Sequence, residues 1–328
     1  MISFASTPFS GFGEKTVTHV RYQVNFPSNF GFRIHSSQPL RFVREGSAQN
    51  GILDVQIREC APIAPSDGPL LDWTLSGSNR EINAKLYSVH HFYRFWISDT
   101  GWYDIDPSIG IVKMPKSGDE ILREQRLWGL PTMLCALYRG DFSLHAAAVE
   151  IDGGALLIAA PGRHGKTTLA LAFHRQGYRV LTEDSACCRL NSAPRLLPGP
   201  PMLRVRPDMF DGRAPIGTQV VAQYDDRIYL ALDENRRGSD DPIPIRGLIF
   251  LRESANEIHL ERVVYQRALP DLWALNFHLP TDASRAQVFR QLSELANTIP
   301  IWNLYRPLRL VALAKTVDTV AKALRSAN

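Results

Sequence analysis

"LLIAAPGRHGKTTLALAFHRQGYRVLTED", residues 156–184, decides the fold of this chain. A short apolar run leads into a glycine-containing loop, and a helix-forming segment that begins with Lys and Thr follows it. This order predicts a buried strand, a phosphate-binding loop and a helix. The loop pattern is Gly-x-x-x-x-Gly-Lys-[Ser/Thr], and here Ala160 stands at the first glycine position. Alanine suits that position if its φ is negative.

The loop predicts nucleotide binding. Backbone N–H groups at the start of a helix attract an anion, and the helix dipole adds to this attraction. Lys166 would reach the β- and γ-phosphates of ATP, and Thr167 would offer its hydroxyl to Mg²⁺. The alternative is a surface turn in which Lys166 is solvated. The residues predicted to bind the nucleotide are Gly162, Arg163, His164, Gly165, Lys166, Thr167 and Thr168.

Two acids follow at the end of the next predicted strand. Glu183 and Asp184 close the run "VLTED", where a carboxylate beside a phosphate-binding loop can hold Mg²⁺ or a water. Consecutive side chains point to opposite faces of a strand, so one acid faces the phosphates unless the strand bends. The alternative is a solvated strand end. Asp184, with Thr167, is the predicted metal ligand.

Further histidines and one arginine are candidates for the site. His145, in "SLHAAAV", has small neighbours that allow close approach, but a lone His is more often structural. Arg227, in "YDDRIYL", could contact the transferred phosphoryl group, although a surface position is commoner for arginine. His90 and His91 have no acid at metal-ligand spacing and are interpreted as structural.

The first part of the chain has a different character. From Val17 to about Lys113, short alternating and aromatic runs predict antiparallel β structure. Ser117 or Asp119 is the predicted cap of a helix over residues 121–140, interrupted at Gly129–Pro131. We therefore predict a β-rich domain over residues 1–118 and a larger α/β catalytic domain over residues 119–328.

After residue 140 the pattern becomes α/β. Residues 143–151 predict one strand, and "RGLIFLRE" with "EIHLERVVY" predict a further strand pair. Two amphipathic helices are predicted over residues 283–298 and 308–324. The polar, proline-bounded run "DENRRGSDDPIP" is predicted to be a mobile loop.

Composition argues against several classes of protein. The 328 residues carry a formal net charge of +4, with Lys and Arg scattered among acids, so no nucleic-acid partner is expected. No apolar run approaches the roughly 20 residues of a membrane span, and the amino-terminal residues do not resemble a signal peptide. We therefore expect a cytoplasmic protein without a membrane partner. The four cysteines, at positions 60, 135, 187 and 188, show no zinc-site spacing. Cys187 and Cys188 are adjacent, point to opposite faces of a predicted strand, and are expected to be reduced.

"LHAAAVEIDGGALLIAAPGRHGKTTLALAFHRQGYRVLTEDSACCRL" resembles the catalytic core of bacterial HPr kinase/phosphorylase and of HPr-kinase-related proteins, including lasso-peptide-pathway kinases. The resemblance implies a P-loop kinase core related to phosphoenolpyruvate carboxykinase. It places His145 on the active-site histidine, Lys166 on the phosphate lysine and Thr167 on the metal-side hydroxyl. Glu183 and Asp184 fall on paired aspartates, one of which is the base toward the acceptor.

The chain also departs from the true HPr kinases. Thr168 stands where they carry Glu, Glu183 replaces the first Asp, and no Arg-Pro-Gly-Arg-Asn-like segment occurs near the carboxyl end. We therefore expect a related kinase with another acceptor.

The combined expectation is an ATP- and Mg²⁺-dependent kinase. Lys166 and His145 would act on the phosphoryl group, and Asp184 or Glu183 on the acceptor hydroxyl. That acceptor is expected to be Ser or Thr of a peptide or protein, with a small-molecule kinase and a nucleotide-binding switch as alternatives. The sequence leaves open the acceptor, the nucleotide preference and whether the chain forms a homo-oligomer.

Overall fold

The computed structural model describes residues 26–46, 51–75, 81–210 and 212–326. Its first sheet has nine strands in the order β3-β1-β2-β4-β9-β8-β7-β6-β5. Their bounds are β1 Phe26–Asn29, β2 Phe32–Ser36, β3 Arg44–Gly46, β4 Ile52–Ile57, β5 Leu71–Leu75, β6 Ile82–Val89, β7 Phe92–Ile97, β8 Gly101–Asp106 and β9 Ile111–Met114.

This sheet is mixed, so the prediction of a purely antiparallel amino-terminal region is wrong. Strand β4 runs parallel to both β2 and β9, whereas β5 to β9 form an antiparallel meander. Buried and exposed side chains alternate according to which face of the sheet is covered, whatever the direction of the strands. The sequence pattern therefore does not distinguish parallel from antiparallel pairing. The predicted strand residues before 26 lie outside the described residues.

Two short helices follow the sheet and confirm the predicted interruption. Helix α1 spans Glu120–Leu127 and α2 spans Leu130–Tyr138. Asp119 is the cap of α1, since its carboxylate accepts from the Leu122 amide at 3.0 Å. Pro131 lies in the first turn of α2, where its missing N–H has no cost.

The rest of the chain forms a second nine-stranded sheet, a three-stranded sheet and further helices. The second sheet runs β10-β14-β15-β19-β12-β11-β13, with β21 beside β19 and β20 beside β21, and the small sheet runs β16-β18-β17. The strands are β10 Phe142–Leu144, β11 Ala146–Ile151, β12 Gly154–Ala159, β13 Arg179–Thr182, β14 Ala186–Leu190, β15 Pro194–Leu197, β16 Met202–Val205, β17 Thr218–Gln223, β18 Ile228–Leu232, β19 Ile243–Glu253, β20 His259–Arg262 and β21 Ile301–Arg306. The helices are α3 Lys166–Arg175, α4 Glu234–Arg237, α5 Tyr265–Ala274, α6 Asp282–Thr298 and α7 Leu313–Ser326.

The structure confirms the strand–loop–helix–strand unit as β12, α3 and β13, and it confirms α6. The predicted strand over residues 143–151 is split at His145 into β10 and β11. The two strands predicted as a pair, β19 and β20, both form, but β21 lies between them. Helix α7 begins at Leu313 because Leu310–Ala312 forms a 3₁₀ turn first.

The segment over residues 233–244 is not a loop throughout, and its mobility stays a prediction. It contains the single-turn helix α4 and the start of β19. Asp240 is 1% exposed and accepts from the Gly31 amide at 3.0 Å. A carboxylate that satisfies a buried amide of the first sheet holds this residue against that sheet.

A continuous apolar core joins the two large sheets. Buried side chains of the first sheet, such as Phe95 and Tyr103, belong to the same cluster as Trp128 of the α1–α2 junction and Leu181 of β13. The predicted boundary between residues 118 and 119 falls just before α1 and stays a prediction. All four cysteines are free thiols, and Cys187 and Cys188 are fully buried in β14. In the described part of the chain, no helix is both long and apolar enough to cross a membrane.

Candidate functional site

The loop between β12 and α3 has the geometry of an anion site. Strand β12 runs parallel to β19, and Gly165 is the residue before the first turn of α3. Gly165 has φ +82° and provides no side-chain cap, so the first amides of α3 are left for a ligand. Arg163 also has a positive φ, +67°, whereas Ala160 does not, which explains why alanine serves at the first glycine position.

Lys166 is held at the base of this loop. Its Nζ lies 2.7 Å from His145 Nε2 and donates to the carbonyl of Ala160 at 2.8 Å. A longer contact of 3.3 Å reaches the carbonyl of Pro161. The residue is only 6% exposed. These contacts fix the ammonium group between the loop and His145.

His145 connects the lysine to an acid. It lies where β10 gives way to β11, and its amide donates to the carbonyl of Leu275 at 2.7 Å. Its Nδ1 lies 3.3 Å from Asp184 Oδ1. A neutral imidazole with the proton on Nδ1 satisfies both contacts, because Nε2 then accepts from Lys166. The break in the predicted strand therefore places the histidine in the site.

Glu183 and Asp184 both face this cluster. Strand β13 ends at Thr182, and the chain bends immediately after it, so the rule of opposite faces no longer applies. Glu183 Oε1 accepts from the Thr167 hydroxyl at 2.5 Å. Asp184 faces His145 on the other side. The bend gives the two acids different partners.

Arg204 of β16 joins the two acids. Its Nε donates to Glu183 Oε2 at 2.7 Å, and its Nη2 lies 2.9 Å from Asp184 Oδ2. Arg204 is not among the site residues predicted from the sequence. An arginine inside the otherwise apolar strand "MLRV" is the signal that could have found it, because a charge there needs a buried partner.

Arg306, at the end of β21, supports the loop from behind and was also missed. It is 2% exposed and donates to the carbonyl of His164 at 3.2 Å, with a longer contact of 3.5 Å to that of Gly165. A side chain at position 165 would collide with this guanidinium. The φ of +82° therefore favours glycine at this position, and a larger residue would also displace the Arg306 guanidinium.

The electrostatics divide the cluster into ionised and neutral groups. Burial acts to raise the pKa of Asp184, but the charge of Arg204, with His145 and Lys166, outweighs it and holds that pKa below its usual value. Burial lowers the pKa of His145, Asp184 opposes this, and Lys166 adds to it. Burial likewise lowers the pKa of Lys166 against the two acids. Asp184 is thus an ionised carboxylate next to a neutral imidazole.

These groups open into a cavity of about 1400 Å³. Of the residues predicted from the sequence, the cavity is lined by His145, Gly162, Arg163, Gly165, Lys166, Thr167, Thr168, Glu183, Asp184 and Arg227. His164 is not among them, since its Nδ1 contacts the carbonyl of Gly162 at 2.8 Å. Arg227 lies on the β17–β18 side and donates to the carbonyl of Asp226 at 2.7 Å. His91 lies apart, 3.9 Å from Asp106 in the first sheet.

Comparison with known proteins gives limited information. The chain matches no family model and no curated protein. Among solved structures, the Hpr(Ser) kinase/phosphatase from Coxiella burnetii is similar, with 12% sequence identity and a TM-score of 0.30. The match covers 57% of this chain and 99% of that chain. Membership of the HPr-kinase-related proteins stays a prediction.

Proposed function

We propose that this chain is an ATP- and Mg²⁺-dependent kinase that transfers the γ-phosphoryl group to a hydroxyl, with Ser or Thr of a peptide or protein as the acceptor. The observation that carries the proposal is the chain of contacts Lys166–His145–Asp184 at the mouth of the loop. A phosphate-binding cation is thereby linked to an ionised carboxylate through one neutral histidine. Phosphoryl transfer depends on this kind of positioning and charge.

The residues present fit the triphosphate of ATP. The uncapped first turn of α3 offers amides, and Lys166 adds a cation whose present partners include two backbone carbonyls. Phosphate oxygens can replace those carbonyls as acceptors.

The residues present fit a Mg²⁺ ion that is bound mainly by the phosphates of ATP. Within the described residues, no group of three His, Cys, Asp or Glu side chains could hold a metal by itself. Thr167 and Glu183 offer a hydroxyl and a carboxylate 2.5 Å apart, and Mg²⁺ usually takes one or two protein oxygens with substrate phosphates and water. When bound, the ion would neutralise charge on the phosphates. This geometry favours Glu183 over Asp184 as the partner of Thr167 on the metal side.

Asp184 is then left for the acceptor. Its side chain is 39% exposed and reaches the cavity, whereas that of Glu183 is 4% exposed. The acceptor hydroxyl would be oriented by Asp184 and would give its proton to this carboxylate. Its oxygen would bond to the γ-phosphorus as the bond from that phosphorus to the β,γ-bridging oxygen breaks and ADP leaves. His145 and Arg204 hold Asp184 in place during this step. A carboxylate with a lowered pKa remains ionised at neutral pH but accepts the proton late.

Transfer of label tests the proposal. Incubation of the protein with γ-labelled ATP, Mg²⁺ and a cell extract, followed by location of the label, identifies the acceptor class. Asp184→Asn keeps the shape of the site, and we expect transfer to fall by about 10²–10⁴-fold while nucleotide affinity changes little. Calorimetry with Mg-ATP measures the affinity, and labelled product measures the transfer.

Glu183→Gln is the matched variant for the neighbouring acid. Glu183 faces Thr167 on the proposed metal side. We therefore expect Glu183→Gln to raise the Mg²⁺ concentration needed for half-maximal transfer more than Asp184→Asn does. Wild-type transfer rates in both variants would contradict the assigned roles. Label found on a small molecule would indicate a small-molecule kinase, and ATP binding without any labelled product would indicate a switch.

A further inference from the structure

His145 lies at a break between two strands. Strand β10 pairs with β14 as far as Leu144, and β11 pairs with β12 from Ala146 onward. The histidine therefore lies between two ladders, and a third segment supplies the partner of its backbone amide. That amide donates to the carbonyl of Leu275, the C-cap residue of helix α5, at 2.7 Å. A connection from α5 thus contributes to where the imidazole is held.

Asn276, the next residue, secures the same connection through its side chain. Its Nδ2 donates to the carbonyl of Ser143 at 2.7 Å, and its backbone forms an isolated antiparallel bridge with Leu144. The amide of Phe277 makes a longer contact of 3.4 Å with the same carbonyl. Of these two contacts, the side-chain bond has the more favourable length. It ties the end of α5 to the strand that leads into the histidine.

The orientation of the Asn276 amide is set by this bond. Its Oδ1 is buried and has no hydrogen-bond partner among the described residues, although a buried oxygen of this kind is usually satisfied. The opposite orientation would place that oxygen against the carbonyl oxygen of Ser143 and would lose the bond. A polar side chain that is imperfectly satisfied beside a candidate active site is more consistent with positioning than with stability alone.

Helix α5 is itself fixed to the sheet that carries the loop. Its Leu272 side chain is fully buried in the core. Its Asp271 carboxylate forms an ion pair with Arg252, which lies near the end of β19, the strand parallel to β12. Because β12 leads into the phosphate-binding loop, the contacts of α5 place His145 relative to that loop.

We propose that Asn276 is a positioning residue for the transfer, which holds the strand end before His145 and thereby fixes the imidazole. The inference rests on the proposed kinase function and adds a residue to its machinery. The imidazole lies 2.7 Å from Lys166 Nζ and 3.3 Å from Asp184 Oδ1. Asn276 and His145 both line the cavity, but Asn276 acts through the histidine and not on the phosphoryl group. Loss of its bond to Ser143 frees the imidazole to leave one of its partners.

The tautomer of His145 is the first measurement. A neutral ring with its proton on Nδ1 satisfies both partners, and nitrogen NMR shifts distinguish this tautomer from the one with the proton on Nε2. Asn276→Leu keeps the approximate size of the side chain and removes its donor together with its unpartnered oxygen. At mildly alkaline pH we expect one tautomer in the wild type and a mixture in the variant, whose ring is no longer held against both partners. The absence of a signal in His145→Gln identifies the histidine.

Turnover is the second measurement. Misplacement of an active-site group by about 1 Å can lower turnover on the order of 10²-fold, so we expect Asn276→Leu to lower kcat by about 10–100-fold. The KM for ATP should stay within about twofold of the wild type, because the loop amides and Lys166 are unchanged. A wild-type kcat would overturn the role of Asn276, since transfer would then proceed without its bond.

Asn297→Leu is the matched control. Asn297 is exposed on α6, and its Nδ2 also donates to a backbone carbonyl, that of Ser293, at 2.9 Å. The control should leave the His145 tautomer, the kcat and the KM for ATP at their wild-type values. Equal changes in Asn276→Leu and Asn297→Leu would indicate a general effect of losing an amide and would contradict the proposal.

The two measurements separate this inference from the proposed function, because the tautomer is read without ATP or acceptor. If the wild type transfers no label, the kinase proposal fails, and a tautomer that changes in Asn276→Leu alone still supports Asn276 as the residue that positions His145. An unchanged tautomer overturns that role. Urea titration checks that each variant folds. If Asn276→Leu does not fold, Asn276→Ala replaces it, and failure of both to fold would overturn a specific role in positioning.

Discussion

Arg44 and Arg204 are both arginines held within strands, but they belong to different kinds of polar cluster. Arg44 of β3 is fully buried, and its guanidinium donates to the carbonyls of Gly199, Val180 and Leu181. The side chain of Arg204 is 17% exposed and joins two carboxylates beside the cavity. The comparison shows that access to the cavity, not burial of charge, distinguishes a candidate catalytic cluster from a structural one.

The pKa shifts of the two arginines differ in the same way. Burial lowers the pKa of Arg44, and nearby Arg179 adds to this effect, with Asp240 opposing it. Burial also acts to lower the pKa of Arg204, but Glu183 and Asp184 outweigh it and raise that pKa. Arg44 therefore secures the first sheet to the strands behind it, whereas Arg204 keeps Asp184 ionised.

The largest expected effect is the loss of stability caused by Arg44→Met. The change removes the guanidinium from three carbonyls, of which that of Leu181 keeps the Gly199 amide as a donor, and it leaves Asp240 without its nearby cation. Loss of one buried charged partner typically costs about 3–5 kcal/mol. We expect the free energy of unfolding, measured by urea titration, to fall by that amount.

Arg58→Met is the control for this prediction. Arg58 is exposed, and its guanidinium donates to the side chain of Gln56, so its replacement should change the free energy of unfolding by less than about 0.5 kcal/mol. A small effect of Arg44→Met, or specific loss of transfer in a fully stable protein, would remove the distinction between the two arginine clusters.

Lys166→Ala should have the next largest effect, on activity. It removes the ammonium group held between the loop and His145, and loss of such a group typically lowers turnover by about 10²–10³-fold. Calorimetry should also show weaker Mg-ATP binding. Lys315→Ala, on the exposed side of α7, is the matched control and should have wild-type activity. Unchanged ATP affinity and turnover in Lys166→Ala would refute the loop as a nucleotide site.

The sequence predicted the loop side of the site because its elements are local. Residues 156–184 contain a buried strand, a glycine loop, a helix and a second strand, which carry Lys166, Thr167, Glu183 and Asp184. Short connections keep such elements adjacent. Burial of both faces of β12 gives an apolar run that pattern analysis detects.

The remainder depends on contacts between distant parts of the chain. Arg306 meets the loop across 142 residues, and β5 and β7 line the cavity only because the first sheet packs against the loop region. The bend after Thr182, which turns both acids inward, has no signal in "LTEDS". Helix α5 was not predicted because Pro270 lies inside it, and proline usually argues against a helix interior.

The pH profile of Arg204→Met tests whether Arg204 controls the protonation of Asp184 and His145. In the wild type Asp184 has a lowered pKa and stays ionised, so protonation of His145 sets the acidic limb of turnover. The pKa of His145 is below its ordinary 6.5, and we expect activity to be level above that pH and to fall only at lower pH.

Without Arg204, the largest charge that opposes burial at Asp184 is lost and its pKa rises, and the pKa of His145 rises as well. Both changes move the acidic limb to higher pH, and misplacement of the acids lowers turnover on the order of 10²-fold. Arg204→Lys should move the acidic limb part of the way back to its wild-type pH, since lysine retains the charge but not the forked contact. An acidic limb at the same pH in all three proteins would contradict the role of Arg204.

The smallest effect is expected at Arg163. Its side chain is exposed and lines the cavity. The backbone of Arg163 has φ +67°, which alanine adopts no more easily than arginine. Since the loop binds anions through its amides, Arg163→Ala should change the KM for ATP by no more than about twofold, as for other surface substitutions. Gly165→Ala is the informative partner, because its added methyl group would meet Arg306 at φ +82°, and it should impair ATP binding severely. If Arg163→Ala instead weakens ATP binding as much as Lys166→Ala does, the side chain of Arg163 binds phosphate directly and the loop does not act mainly through its backbone.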